Sequence, residues 1–166
     1  MKEVMYNDYA KQALETLAKG AFLNVRAGQE DNTMTIGWGS IGFMWSRPVF
    51  MVMVRYSRHT YQLIEKSNCF TVSIPMHGQL KKELGYCGSK SGRDCNKWQD
   101  LNLTKIEANH VDAPLVGECD LHYECKIISK QEVTSNTITS DMVTTFYNNN
   151  DYHVLYYGEI VGTYLK

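Results

Sequence analysis

The chain opens with a helical pattern of apolar side chains that recur every three or four positions. These residues are Ala10, Ala13, Leu14 and Leu17. Asn7 or Asp8 can cap the start of such a helix, and Gly20 stands where a helix commonly ends. The pattern therefore predicts one helix over residues 8–19.

Beyond Gly20 the pattern changes to short apolar or alternating runs, which are typical of β-strands. The predicted strands are residues 21–27, 33–38, 48–55 and 69–74, with long extended segments at about 118–132 and 152–165. Short helices are predicted at 60–66 and at 79–84, the second closed by Gly85, and residues 89–100 read as a polar loop. Because long helices do not alternate with the strands, a mainly antiparallel β domain is favoured over a doubly wound parallel sheet.

A glycine-rich segment at residues 37–42 matches the G-x-G-x-x-G pattern of dinucleotide-binding loops. That pattern requires a helix directly after the loop, and Pro48 followed by a strand-like run leaves no room for one. No acidic residue stands about twenty positions further on, where the ribose partner is expected. We therefore interpret these glycines as a flexible turn or as a close approach between strand backbones.

Composition narrows the class of protein. A chain of 166 residues that is 43% hydrophobic is predicted to be one globular domain over residues 1–166, and its net charge of −1 lacks the basic excess of a nucleic-acid binder. No apolar run approaches the about 20 residues that cross a bilayer, and residues 1–5 lack the core of a signal peptide, so we expect a cytoplasmic location away from membranes. Five irregularly spaced cysteines predict reduced thiols, and no histidine or cysteine spacing predicts a metal site.

Two segments carry candidate binding chemistry. Residues 55–60 place two arginines, a histidine and two hydroxyls between a predicted strand end and a predicted helix start, which suits a phosphate monoester. The alternative is a solvated loop with a helix cap. Residues 32–38 follow a polar turn, and their backbone can hydrogen-bond a flat heterocycle while Met34 or Trp38 packs against it. The alternative there is an ordinary strand with a buried tryptophan.

Six short motifs occur in a fixed order along nearly the whole chain. They are Asn32-x-Met34-Thr35-x-x-Trp38, Arg47-Pro48 before an apolar strand, Arg55-x-x-Arg58-x-Thr60, Ser91-Gly92-Arg93-Asp94-x-x-Lys97-Trp98, Leu121-x-x-Glu124-Cys125-Lys126, and Asp151-Tyr152-His153 followed by Gly158-Glu159-Ile160-Val161. Together they resemble the flavin reductase-like proteins of the FMN-binding split-barrel fold, flavoredoxins in particular. Cys95 and the polar region 131–150 depart from that resemblance.

The resemblance implies an antiparallel Greek-key split β-barrel with flanking helices, a homodimer, and FMN held near the dimer interface. The residues that would line the isoalloxazine and ribityl chain are Asn32, Met34, Thr35, Ile36 and Trp38. Those that would hold the phosphate are Arg55, Arg58, His59 and Thr60. Lys97 and His153 are further implied contacts, and either can act across the dimer.

Three functions stay open at this point. The chain can be a reductase that passes electrons from NADH or NADPH to FMN, or a carrier with tightly bound FMN that is fed by a redox partner protein. It can also be a flavin-free binding module on the same barrel. No acid–base constellation is visible in the sequence, and flavin chemistry does not require one, since the protein supplies binding, orientation and electrostatics.

Overall fold

The structure, a computed structural model, describes residues 1–166. Its strands are β1 (Lys2–Glu3), β2 (Ala21–Ala27), β3 (Glu30–Ile36), β4 (Gly39–Met44), β5 (Arg47–Arg55), β6 (Cys69–Ile74), β7 (Lys105–Glu107), β8 (Pro114–Val116), β9 (Leu121–Glu132) and β10 (His153–Leu165). Its helices are α1 (Ala10–Leu17), α2 (His59–Ile64), α3 (Lys81–Ser89), α4 (Lys97–Asp100) and α5 (Ser140–Phe146). No helix is both long and apolar enough to cross a membrane.

Eight strands form one antiparallel sheet in the order β3-β2-β6-β9-β10-β5-β4, with β1 paired to the end of β10. Strands β7 and β8 form a separate pair. Because β3 and β4 remain as edges, the curved sheet does not close into a complete barrel. The predicted fold class, a mainly β antiparallel split barrel with flanking helices, is confirmed.

Successive side chains of a strand point to opposite faces of the sheet, and this alternation lets the sheet support a hydrophobic cluster on each face. In β2, Leu23 and Val25 face the main core of 21 buried residues, whereas Phe22 faces the opposite side. There it joins a second cluster with Leu84 and Trp98, which lie on α3 and α4. The helical segment 81–100 is thereby held against the outer face of the sheet, beside β3.

Helix α3 corrects the prediction of a helix at residues 79–84. It begins at Lys81 and continues through Gly85 to Ser89. Glycine costs a helix interior only about 1 kcal/mol, and the burial of Leu84 and Cys87 in the second cluster outweighs that cost. Gly85 is therefore an interior residue of this helix and not its end.

The predicted polar loop at residues 89–100 contains a helix that the sequence pattern did not predict. The Asn96 side chain accepts a hydrogen bond from the Gln99 backbone N–H at 3.3 Å and begins α4. Lys97 and Trp98 are buried within this short helix. An amide cap and one buried aromatic residue thus order the last four residues of the segment.

The glycine-rich segment at residues 37–42 forms most of edge strand β4 and not a turn. A Cβ atom at Gly39 would lie 2.7 Å from the Met51 carbonyl oxygen on neighbouring β5. Of the two interpretations given above, the close approach between backbones is confirmed at Gly39, whereas a Cβ atom at Gly42 would meet no atom within 4 Å.

Candidate functional site

All eleven residues predicted to bind a ligand lie along two adjoining cavities, which share Met34 and Arg58. The first, here called the aromatic cavity, has a volume of about 170 Å³ and is lined by Met34, Thr35, Ile36, Gly37, Trp38, Met53, Arg55, Arg58 and His153. The second, here called the cationic cavity, has a volume of about 100 Å³. It is lined by Asn32, Met34, Ser57, Arg58, His59, Thr60, Cys87, Gly88, Ser89, Lys90, Ser91, Gly92, Arg93 and Lys97.

Strands β3, β5 and β10 provide the walls of the aromatic cavity. His153 at the start of β10 pairs with Arg55 at the end of β5, so the antiparallel register places both side chains at one end of the sheet. Trp38 follows β3, is 44% exposed and lies with its ring centroid 5.4 Å from that of His153. Phe146 at the end of α5 packs edge-to-face on Trp38 at 5.2 Å. The cavity therefore has an open aromatic rim.

His153 is the buried polar group of the aromatic cavity. The Tyr147 hydroxyl lies 2.8 Å from its Nδ1, and both residues are buried. Burial lowers the pKa of His153 to about 4, and the neighbouring Arg55 guanidinium adds to that effect. The imidazole is consequently neutral near pH 7.

Arg55 links the aromatic cavity to the chain between α5 and β10. Its guanidinium donates to the carbonyl oxygens of Asp151 and, at 3.1 Å, of Phe146, and it lies over the Tyr147 ring at 5.1 Å. The Asp151 carboxylate in turn accepts from the backbone N–H of Ser57 at 3.1 Å and from its hydroxyl at 2.6 Å. Much of the hydrogen-bonding capacity of Arg55 is therefore used within the protein.

Two facing segments form the cationic cavity: the turn before α2 and the loop between α3 and α4. Arg58 on the turn donates to the Gly88 carbonyl at 3.3 Å, and Arg93 on the loop donates to the Ser57 carbonyl at 3.1 Å. Each wall of the cavity thus supplies one arginine that donates a hydrogen bond to a main-chain carbonyl of the other wall. Hydroxyl groups line the space between these walls, from Ser57, Thr60, Ser89 and Ser91.

Lys97 lies at the inner end of the cationic cavity and is only 3% exposed. Its Nζ donates to the carbonyl oxygens of Thr33 at 2.9 Å and of Cys87 at 3.0 Å. Burial lowers the pKa of this ammonium group. Since an ammonium carries three donors, one remains for a ligand.

Asn32, His59 and Gly92 meet where the loop crosses β3. Asn32 Nδ2 donates to the Thr60 hydroxyl at 2.8 Å, and His59 Nε2 lies 2.7 Å from Glu30 Oε1. His59 Nδ1 is buried and has no hydrogen-bond partner. A Cβ atom at Gly92 would lie 2.3 Å from Asn32 Oδ1, so only glycine allows the loop to approach this closely.

The sequence analysis does not identify Phe146 and Tyr147, because it predicts no helix in the polar region 131–150. A signal was present: Thr139 is followed by Met142, Val143 and Phe146 at helical spacing. In the structure the Thr139 hydroxyl accepts from the Met142 backbone N–H at 3.4 Å and begins α5. Ser89 and Lys90 were likewise not singled out.

The open antiparallel sheet with its flanking helices defines the chain as a split-barrel domain. The chain belongs to the flavin reductase like domain family, whose model matches residues 18–166. This confirms the family indicated by the six sequence motifs.

Three relatives describe the extent of the likeness. A protein of Archaeoglobus fulgidus is 30% identical over 117 residues, which span 70% of this chain and 65% of that protein. The flavoredoxin of Desulfovibrio vulgaris is 25% identical with a TM-score of 0.69, covering 89% of this chain and 69% of that one. The NADH:FAD oxidoreductase SgcE6 of Streptomyces globisporus is 16% identical with a TM-score of 0.68, covering 100% and 88%, and at that identity shares the fold alone.

Proposed function

We propose that the chain binds one FMN across both cavities, with the isoalloxazine ring in the aromatic cavity and the phosphate in the cationic cavity. One observation carries this proposal: two spaces of opposite chemistry adjoin and share Met34 and Arg58. A phosphorylated flavin has the same division, since it joins a flat ring to a dianionic group.

The donor set of the cationic cavity fits a phosphate. Arg58, Arg93 and Lys97 are cations around a space that also carries four side-chain hydroxyls. Charge-assisted hydrogen bonds from guanidinium and ammonium groups are the strongest that proteins make to phosphate. The unpartnered His59 Nδ1 is one more polar atom that a ligand could satisfy.

For the reaction, we propose that electrons pass from NADH or NADPH to FMN. When bound, FMN supplies hydride and single-electron chemistry, while the protein binds and orients it. The exposed rings of Trp38 and Phe146 at the rim support this proposal, because they offer a surface on which a planar nicotinamide can stack. The likeness to an NADH:FAD oxidoreductase fold agrees with it.

The second candidate is an electron carrier with tightly bound FMN and a redox partner protein. The likeness to a flavoredoxin favours this candidate. Both candidates use the same FMN site and differ only in the electron donor.

We also propose that the chain acts as a homodimer. The β4–β5 hairpin leaves two large aromatic side chains exposed, Phe43 by 63% and Trp45 by 61%, and a dimer interface could cover them. Light scattering should give twice the chain mass for the wild type and a smaller mass for the Phe43→Ser, Trp45→Ser double variant. A monomeric wild type would contradict the proposal.

The proposed reaction is tested by visible absorption. Purified protein is mixed with FMN, desalted and then treated with NADH or NADPH without air. Flavin bands that persist through desalting establish a bound cofactor, and their rapid bleaching by a nicotinamide supports the reductase. Bands that bleach only with dithionite support the carrier. A colourless protein without measurable affinity for FMN would contradict both candidates and leave the flavin-free module.

A further inference from the structure

Tyr147 and His153 share a hydrogen bond, and the burial of the two groups determines which of them donates it. Tyr147 is 2% exposed, and its hydroxyl makes one hydrogen bond within the chain, to His153 Nδ1 at 2.8 Å. A phenol hydroxyl can donate one hydrogen bond and can also accept, and a neutral imidazole carries one N–H and one bare nitrogen. Two arrangements of the shared proton are therefore possible in principle.

Only one arrangement leaves no enclosed donor without a partner, because Nε2 of His153 belongs to a ring that lines the open cavity and is not itself sealed from it. If Nδ1–H donated to the phenol oxygen, the proton of Tyr147 would be left in a buried place with no acceptor. An unpaired buried donor carries a full desolvation cost, whereas an unused second lone pair on the phenol oxygen carries little. Tyr147 therefore donates, Nδ1 accepts, and the single proton of the neutral ring resides on Nε2.

We propose that Tyr147 is a positioning residue that fixes the His153 ring as an Nε2–H hydrogen-bond donor toward the aromatic cavity. The ring of His153 lines that cavity, and its Nδ1 is taken by Tyr147, so Nε2 is the nitrogen left for a ligand. The guanidinium carbon of Arg55 lies 5.1 Å from the centroid of the Tyr147 ring, and this cation–π contact helps to hold the phenol in place.

The charged groups near His153 keep the ring in this neutral, single-donor form. Arg55 and Arg58 oppose its protonation, and Asp151 favours it. The Asp151 carboxylate, however, is already hydrogen-bonded to Ser57. The His153 ring therefore offers the aromatic cavity one neutral N–H, on Nε2, and it does not take up a second proton near pH 7.

This inference also deepens the proposed function and, in its ligand part, rests on it. The edge of an isoalloxazine ring carries carbonyl and nitrogen acceptors, and a fixed N–H donor would select the orientation that presents one of them. The residue that sets the donor would then be Tyr147, in the region 131–150 where the sequence resembles the family least.

The test is the nitrogen spectrum of the histidine rings in protein labelled with nitrogen-15, without added ligand. Two-bond proton–nitrogen correlations distinguish a protonated ring nitrogen from a bare one, and the signals that disappear in His153→Gln assign the residue. At pH 7, we expect a protonated Nε2 and a bare, hydrogen-bonded Nδ1 for His153. The reverse pattern, or signals averaged between the two forms, would overturn the inference.

Two variants separate the hydroxyl of Tyr147 from its ring. In Tyr147→Phe the neutral imidazole loses its donor, so the Nδ1 signal should move toward that of an unbonded nitrogen. The titration midpoint of His153 should also rise by about half to one pH unit. Tyr152→Phe is the matched control, because that ring stacks on Tyr147 at 4.8 Å and its hydroxyl makes no hydrogen bond within the chain. A Tyr147→Phe spectrum identical to that of Tyr152→Phe would overturn the positioning role.

Adding FMN separates this inference from the proposed function. If FMN binds as proposed, the Nε2 signal of His153 should shift on its addition to the wild type. A wild-type spectrum that has the expected proton pattern but ignores FMN would contradict the FMN proposal alone. A shift without the expected proton pattern would contradict the role of Tyr147 alone.

Discussion

The aromatic and cationic cavities adjoin, yet the chain builds them in different ways. Trp38, Arg55 and His153 come from strands or strand ends whose positions are set by the pairing of β3 with β2 and of β5 with β10. The cationic cavity lies instead between a turn and a loop, and Arg58 and Arg93 donate across it to main-chain carbonyls. One cavity is supported by the sheet, and the other is supported largely by its own side chains.

This difference determines what a mutation should do at each end. A side chain removed from the aromatic cavity leaves the sheet in place, so ligand contacts change more than the backbone does. A cation removed from the cationic cavity leaves carbonyl oxygens without a donor, so the walls lose stability together with affinity. The predictions below test this contrast, beginning with the largest expected effect.

Replacing Lys97 should have the largest effect on stability. Lys97→Met keeps the volume of the side chain but leaves two buried carbonyls, those of Thr33 and Cys87, without their charged donor. At about 1–3 kcal/mol for each group, we expect a loss of roughly 2–6 kcal/mol in the free energy of unfolding, measured by urea denaturation.

Lys90→Met is the matched control for Lys97. Lys90 lines the same cavity but is exposed, and it makes no side-chain hydrogen bond within the chain. We expect a change of no more than about 0.5 kcal/mol in its free energy of unfolding. Equal losses in the two variants would contradict the claim that Lys97 supports the cavity walls.

Acid should destabilise the aromatic end through His153. The folded pKa of about 4 lies below the usual value of 6.5, so the unfolded chain binds more protons between these values and stability falls as the pH is lowered. We expect His153 to account for about 2–3 kcal/mol of the loss between pH 7 and pH 4. His153→Gln should lose that much less stability than the wild type over this interval.

His122 provides an internal comparison for the acid experiment. It is fully buried beside Ser73 and lines neither cavity, and burial lowers its pKa to about 4 as well. The His122→Gln variant should therefore also lose less stability in acid, while its affinity for FMN at pH 7 stays unchanged.

Closing the gap at Gly92 should separate the two walls of the cationic cavity. In Gly92→Ala the new Cβ would lie 2.3 Å from Asn32 Oδ1 and 2.8 Å from His59 Cδ2, so the loop must move outward. Overpacking of this kind costs about 1–3 kcal/mol, which would weaken FMN binding roughly tenfold to a hundredfold. A fluorescence titration with unchanged affinity would show that the loop does not contact the ligand.

Gly85→Ala should have the smallest effect, and in the opposite direction. Gly85 lies inside α3, and an added Cβ meets no atom within 4 Å. Alanine is favoured over glycine in a helix interior by about 0.5–1 kcal/mol, so the thermal unfolding temperature should rise slightly with no change in FMN affinity. A lower unfolding temperature would contradict the helical assignment of this residue.

The same contrast explains how much could be predicted from the sequence. Strands β2, β5, β6 and β10 could be predicted from their short apolar or alternating runs. The pairing that places His153 beside Arg55 could not, because the two strands are almost 100 residues apart in the chain. Helix α4 could not be predicted, because it depends on one capping side chain and a few contacts made only in the folded protein. Helix α5 did have a signal, in the Thr139 cap and the apolar spacing that follows it. The hydrogen bonds of Lys97 could not be predicted either, because their acceptors, the carbonyls of residues 33 and 87, come close to Lys97 only in the folded protein.

The most direct test of the account compares FMN with riboflavin on the wild type and on Arg58→Ala, by fluorescence titration. Removing one charge-assisted hydrogen bond, worth about 1.5–3 kcal/mol, should raise the Kd for FMN about tenfold to a hundredfold. Riboflavin lacks the phosphate but still meets Arg58 in the aromatic cavity, so its Kd should rise by much less than that of FMN. Lys11→Ala on the exposed face of α1 should alter neither Kd. An equal loss for both flavins, or an unchanged Kd for FMN, would contradict the claim that the cationic cavity holds the phosphate.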